Sequence, residues 1–472
     1  MEQTEFKTMC DELPKLDEKT IDQELRTALE TLNKKIVVLD DDPTGTQTVH
    51  DVSIYTDWTI ESLRKGFLEK NKLFFVLTNS RGFTKEKTLQ VHQTIAERIA
   101  IVAKETDQDF LVINRGDSTL RGHYPLETEM LKATLEQESM TFDGEIIIPF
   151  FKEGGRLTIE NVHYVNDGKR LVPAGETEFA KDRTFGYQSS DLRKWVEEKT
   201  AGNFDADTVI TISLLELRNK QVNEIAEKLI KVTDFNKVIV NAVDYLDVKV
   251  FVISLIKALN QGKRFLYSSA AAFVKVLGGI PDQPLLTRKD IVNESNQNGG
   301  LIMVGSHVKK TTDQLNSLLK VDGIVPLEFQ VSKVVDSQEF VAEQLRIRQL
   351  VNGYLQEGRT VVVYTERKRL DIGKDPEAEL NLSVKIASAV SRIVHDLTCR
   401  PKFLIAKGGI TSSDIATAGL GIKQAQVAGQ IAPGIPVWLA GEESKFPKLP
   451  YIIFPGNVGE VDTLSRVVKQ LK

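Results

Sequence analysis

Short apolar runs, rich in β-branched and aromatic residues, alternate with helix-like segments through most of this chain. KIVVLD (35–40), LFFVLT (73–78), FLVIN (110–114) and EIIIPF (145–150) each read as buried strands that end at polar or glycine-bearing turns. Between them, residues 84–103 and 125–136 have helical periodicity. Parallel strands cannot be joined by tight hairpins. Strand, loop, helix, strand in this rhythm therefore predicts an α/β fold with mainly parallel sheets.

The rhythm breaks over residues 151–190, where Gly154, Gly155, Gly175 and Gly186 suggest a β-rich excursion. It resumes with TVITIS (208–213) and KVIVNA (237–242). Residues 277–300, with four glycines and two prolines, form the best linker candidate. A second α/β block follows, with strands in GLIMVGS (300–306), TVVVYT (360–365) and KFLIAKGG (402–409) and helices from about Lys309 and near 381–398. The expected organisation is an N-terminal extension (1–34), a first α/β domain (35–285) and a second (286–472), within the two or three domains that 472 residues allow.

Composition removes several function classes. A net charge of −5 argues against a general nucleic-acid binder, though a local basic cluster still suffices for a small anion. Cys10 and Cys399, the only two cysteines, cannot build a disulfide framework or a cysteine-based zinc site. No apolar run approaches the roughly 18 residues needed to cross a bilayer, and the first residues form no secretory apolar core. The expectation is a cytoplasmic protein.

Ligands of open α/β sheets bind beyond the carboxyl ends of the strands, and the polar clusters fall there. Asp40-Asp41-Asp42-Pro43-Thr44-Gly45-Thr46 follows the first strand. Three consecutive carboxylates repel one another, so a cation or hydrogen-bonded partner must offset part of that charge. Thr78-Asn79-Ser80-Arg81-Gly82 follows the next, and Arg81 can grip a carboxylate through two parallel hydrogen bonds. Asn114 to His123 brings Arg115, Gly116, Asp117, Ser118, Thr119, Arg121 and Gly122 to a third strand end. Cations there suit an acid, and Asp with Ser/Thr suits hydroxyls; His123 could cap the following helix. In the second block Gly305-Ser306, Lys407-Gly408-Gly409-Ile410-Thr411 and Pro455-Gly456-Asn457-Val458-Gly459 each follow a strand. Glycines let a backbone approach a ligand, and three such loops favour nucleotide phosphates, although the P-loop spacing is absent.

Taken together, these motifs resemble the four-carbon acid sugar kinase family. Its Asp-Asp-x-Thr-Gly element corresponds to Asp41-Asp42-Pro43-Thr44-Gly45, and its Thr-x-Ser-Arg element to Thr78-Asn79-Ser80-Arg81. The Lys-x-Asp-Ser-Thr-x-Arg-Gly element corresponds to Arg115 through Gly122, with Arg115 in the lysine position. Gly155-Arg156-Leu157-Thr158 and residues 176–182 look like its middle segment; Gly408-Gly409-Ile410-Thr411 and Gly456-Asn457-Val458-Gly459 match its last two elements. The resemblance implies a carbohydrate kinase using ATP, with Mg²⁺, on a sugar acid such as threonate, erythronate or 3-oxo-tetronate, the active site lying in a cleft between two domains. Asp41, Asp42, Thr44, Arg81, Arg115, Gly116, Asp117 and Ser118 would hold the acid. Asp42 or Asp117 would serve the reacting hydroxyl. Ser306, Gly408, Gly409, Ile410, Thr411, Gly456 and Asn457 would hold ATP. Whether the chain works as a homodimer stays open. Asp40, Pro43, Arg115 and Ile410 depart from the family pattern.

Rival readings use the same residues. Asp40-x-Asp42-x-Thr44 with Thr78 looks like a haloacid-dehalogenase-type phosphatase, with Asp40 as nucleophile. A non-catalytic sugar-acid and nucleotide binder is a second rival. A dinucleotide oxidoreductase is weaker, because no Gly-x-Gly-x-x-Gly follows the first strand.

Overall fold

The computed structural model describes residues 1–367 and 376–472. The chain divides into two compact units, residues 1–45 with 57–282, and residues 46–56 with 283–472. Both are α/β with mainly parallel sheets.

In the first unit seven strands lie in the order Leu73–Leu77, Lys35–Asp40, Phe110–Arg115, Phe265–Ser269, Gly144–Ile148, Asn236–Val240 and Ile210–Ile212, every pair parallel. Lys35–Asp40, Phe110–Arg115 and Gly144–Ile148 are buried along their whole length, as apolar runs without alternation require. Helices cover the sheet. Lys85–Thr106 begins where Thr84 accepts a hydrogen bond from the Lys87 amide, and Tyr245–Asn260 is apolar nearly all round and buried accordingly. The second helix of the chain, Glu18–Thr31, packs on Tyr245–Asn260 through Ile21 and Leu25, with Asp22 bonded to Lys249. The expected β-rich excursion is a separate three-stranded antiparallel sheet, Arg156–Ile159, Val162–Asn166 and Leu171–Pro173.

The chain runs from Lys35–Asp40 to one neighbour, Leu73–Leu77, and then to the other, Phe110–Arg115. Connections leaving in opposite directions open a crevice at the carboxyl end of the first strand. Asp40–Asp42 and Arg115–Ser118 stand at that point.

The second unit repeats the device. Ile324–Phe329, Thr360–Thr365, Leu301–Val304, Leu404–Lys407 and Pro450–Phe454 are parallel neighbours in that order. Ile435–Ala440, Gln424–Ala432 and Val52–Tyr55 extend the sheet antiparallel. Val52–Tyr55 thus comes from the segment directly after the aspartate motif. The indole of Trp438 donates to Thr46 Oγ1 at 2.9 Å in the same unit. Leu301–Val304 lies between Thr360–Thr365 and Leu404–Lys407, so the switch point falls at Gly305-Ser306 and Lys407-Gly408. Among the described residues no helix is long and apolar enough to cross a membrane.

Candidate functional site

The three aspartates have three different environments. Asp40 is sealed, with 0% exposure. Its Oδ1 lies 3.5 Å from an Arg115 nitrogen, and Oδ2 has no hydrogen-bond partner. Burial raises its pKa well above the carboxylate range, more than Arg115 lowers it. A carboxyl sealed from solvent cannot reach a phosphate monoester, which counts against Asp40 as the nucleophile that the phosphatase reading needs. Gly45 is required here, because a Cβ at that position would sit 1.8 Å from the Asp40 carboxylate.

Asp41 is gripped at both oxygens by Arg81, with Nε at 3.0 Å and a terminal nitrogen at 2.6 Å. Burial nevertheless pushes its pKa up to about 6 against the pull of Arg81. Asp42 is the most open of the three. Its Oδ1 accepts from the Thr44 amide at 2.8 Å, and its Oδ2 stands a loose 3.4 Å from Arg81. Triple-carboxylate repulsion is thus relieved by two guanidiniums, while burial favours the protonated forms of Asp40 and Asp41.

The loop after Phe110–Arg115 supplies the rest. Asp117 accepts from Thr119 and, at 2.7 Å, from Arg121 Nε. Arg121 and Arg81 outweigh the cost of burial and hold this carboxyl below the usual carboxylate range. Gly116 donates to Ser269 O at 2.9 Å. Leu120 takes a left-handed φ of 66°, a strained state for a side chain that the fold must enforce. His123 turns its ring to Phe83 O at 3.1 Å and so ties two loops together instead of capping the helix.

Several contributors were not singled out in the sequence. Glu127, buried on the next helix, accepts from Ser80 Oγ at 2.6 Å and Asn114 Nδ2 at 3.0 Å. A glutamate in a first helical turn reads as a complement to the helix dipole, so sequence offers no signal for this role. A small cavity of about 30 Å³, room for a water or two, is lined by Asp41, Asn114, Gly116, Asp117, Arg121 and Glu127 among others. A wider cavity of about 720 Å³ lies at the opposite end of the same strands, around Lys35 and Asp109. Lys35 there donates to two backbone carbonyls, and Lys34 pairs with Asp109.

The antiparallel excursion braces the loop. His163 is fully buried; its Nε2 donates to Ser118 O at 2.8 Å and its Nδ1 accepts from Thr158 Oγ1 at 3.0 Å. Tyr187 donates to Thr119 O at 2.8 Å. Burial pushes the His163 pKa from 6.5 down to about 4. The unfolded chain therefore binds the extra proton between those values, and stability falls as pH falls through that window, by up to about 3 kcal/mol. Urea unfolding at pH 7 and pH 4.5 should show this loss, and His163→Gln should remove much of it. An equal pH dependence in the variant would exclude His163 as the source.

In the second unit the three glycine loops meet. A Cβ on Gly305 would strike Thr411 Oγ1 at 2.3 Å, one on Gly408 would lie 2.9 Å from Ser306 Cβ, and one on Gly456 would lie 3.3 Å from Ser306 Oγ. Gly408 also has φ 116°, which disfavours any side chain. Ser306, Gly408, Thr411 and Gly456 are therefore brought together, with Gly409 beside them. Ile410 is 69% exposed and Asn457 is exposed on its loop. Lys407, fully buried, donates to Pro455 O and Gly456 O and so ties two of the loops together; burial lowers its pKa to about 7. Among the described residues no cluster of three or more His, Cys, Asp or Glu is placed to hold a metal.

Comparison with known proteins agrees with this division of labour. Residues 36–277 match the model of a sugar-binding N-terminal domain, and residues 301–464 match that of a nucleotide-binding C-terminal domain. None of the curated proteins matches the chain. Among solved structures, the Haemophilus influenzae protein HI1011, from a domain family of unknown function, aligns with a TM-score of 0.59 at 17% identity, over 92% of this chain and 99% of that one. A proposed tRNA synthase of Salmonella typhimurium LT2 aligns with a TM-score of 0.63 at 15% identity, over 92% and 98%. At such identities the likeness speaks for the fold, while the two domain matches span most of the sequence in the order the motifs predict. The chain belongs to the four-carbon acid sugar kinase family.

Proposed function

We propose that this protein is an ATP-dependent kinase that phosphorylates a hydroxyl, the terminal one, of a four-carbon sugar acid such as threonate, erythronate or a 3-oxo-tetronate. The observation that carries this reading is the chemistry at the two switch points. One gathers carboxylates and guanidiniums suited to a polyhydroxy acid, and the other gathers three glycine loops whose backbones lie too close for side chains.

Phosphoryl transfer asks the protein mainly to position reactants and to stabilise charge. Asp42 is the best-placed base, because its Oδ2 is only loosely held while both oxygens of Asp41 are gripped. It accepts the hydroxyl proton as the substrate oxygen bonds to the γ-phosphorus and the bond to the β,γ-bridging oxygen breaks, releasing ADP. Asp117, kept ionised by Arg121, is a poor base and a good acceptor for a neighbouring hydroxyl. Ser306, Gly408, Gly409, Ile410, Thr411, Gly456 and Asn457 would hold ATP, their crowded glycines fitting a backbone cradle for phosphates. Mg²⁺, a hard cation, would neutralise phosphate charge.

Incubation with Mg-ATP and a panel of tetronates and 3-oxo-tetronates should give ADP release that depends on one acid. Acid binding with no ADP release would instead support the non-catalytic binder. ADP release indifferent to the acid would sink the assignment of substrate class.

A further inference from the structure

The kinase motifs imply that Arg81 and Arg115 clamp the substrate carboxylate, yet both guanidiniums already face the chain's own acids. Arg81 holds Asp41 and Asp42, and Arg115 stands 3.5 Å from Asp40 and 3.9 Å from Asp41. A third arginine of the region, Arg121, directs its Nε to Asp117.

Arg156 differs from all three. It opens the first strand of the antiparallel excursion, two residues before the Thr158 that bonds His163. Among the described residues no carboxylate lies within salt-bridge distance of it, and its buried Nε, like that of Arg115, has no hydrogen-bond partner. Its guanidinium sits over the Phe179 ring at 5.7 Å, and Arg121 sits over the same ring at 5.0 Å. The two cations thus share one aromatic ring beside Asp117, whose charge acts on both. Asp117 balances one of them. The other is a surplus positive charge in a partly buried site, an arrangement that folding alone does not favour and that an anion would complete. A planar guanidinium steered by a ring presents parallel donors, which match a carboxylate better than they match a hydroxyl.

We infer that Arg156, with Arg121 and Phe179, forms the subsite that binds the substrate's carboxylate, while the aspartates take its hydroxyls. This rests on the sugar-acid reading above and moves acid recognition from the Asp-rich motif to the antiparallel excursion. The excursion then both braces the Asp117 loop, through His163 and Tyr187, and selects for an acid.

The test compares the wild type with Arg156→Gln and Arg156→Lys. Binding of sodium threonate and sodium erythronate is measured by calorimetry without nucleotide, and KM and kcat are measured for the preferred acid and its uncharged amide. Arg156→Gln is expected to weaken acid binding and raise KM for the acid by about 10- to 100-fold, the size of a lost charged hydrogen-bond pair. Its kcat should change little, and its preference for acid over amide should collapse. Arg156→Lys should recover only part, since it keeps the charge and loses the fork. Binding lost in Arg156→Gln with no ADP release from any protein would support the subsite while refuting the kinase. A folded Arg156→Gln, or Arg156→Lys if only that variant folds, with wild-type affinity and wild-type acid preference would overturn the subsite. So would a wild type that binds neither acid.

Discussion

Asp42→Asn should lower turnover by about 100- to 10,000-fold, the range of a positioned general base, and leave nucleotide affinity within a few-fold. Asparagine keeps the oxygen that accepts from the Thr44 amide at 2.8 Å, so the turn at Pro43–Thr46 persists. Its contact with Arg81 is already long at 3.4 Å, so little pairing energy is lost. What disappears is the capacity to accept a proton from the attacking hydroxyl. ADP release under saturating acid reports the loss, and calorimetric titration with ATP reports the retained binding. Turnover near wild type would remove Asp42 from the mechanism and turn attention to Asp41. Burial raises the pKa of that residue to about 6, but its oxygens are both engaged.

The sequence announced the fold where packing is two-sided and local. KIVVLD, LFFVLT and FLVIN are apolar because both faces of a parallel strand are covered, and each became a strand at Lys35–Asp40, Leu73–Leu77 and Phe110–Arg115. Phe265–Ser269 escaped notice although it is central, because FLYSS ends in two serines that dilute the apolar signal. Val52–Tyr55 is four residues long, and its partner lies in Gln424–Ala432. No local pattern reports a pairing across such a sequence distance. The site divides in the same way. Motif residues at strand ends were legible because a switch point puts them there. Glu127, His163 and Tyr187 were not, since each reaches the Asp117 loop or its neighbours from another element through tertiary packing; Arg156 stands in a recognisable motif, but its place beside Phe179 and Arg121 is set by tertiary packing. Charge partners are equally invisible to spacing. A run of three aspartates says that compensation is needed, and only the structure says that Arg81 and Arg115 supply it.

Arg81→Met should therefore act first on stability. It removes both donors from Asp41, whose side chain is 2% exposed, and leaves a buried carboxyl with only Arg115, 3.9 Å away, as counter-charge. Breaking such a pair from one side costs about 3–5 kcal/mol. The loss is limited by protonation: without Arg81 the Asp41 pKa climbs above its present value of about 6, and the carboxyl stays neutral over a wider range. The sign of the pH dependence follows. A carboxyl whose pKa is raised in the folded state stabilises that state when protonated, so the difference between Arg81→Met and wild type should be large at pH 8 and shrink as pH falls toward 5. Chemical unfolding of the first unit at both pH values measures it. Arg81→Lys should fall between, because a point charge replaces a two-pronged fork. The competing expectation, that Arg81 is the substrate's own clamp, predicts the reverse pattern: stability near wild type at pH 8 and a KM for the acid raised more than tenfold. Two carboxylates compete for one guanidinium in that case, and binding the substrate would have to displace Asp41 from contacts of 2.6 and 3.0 Å, leaving it charged and buried or forcing it to take up a proton.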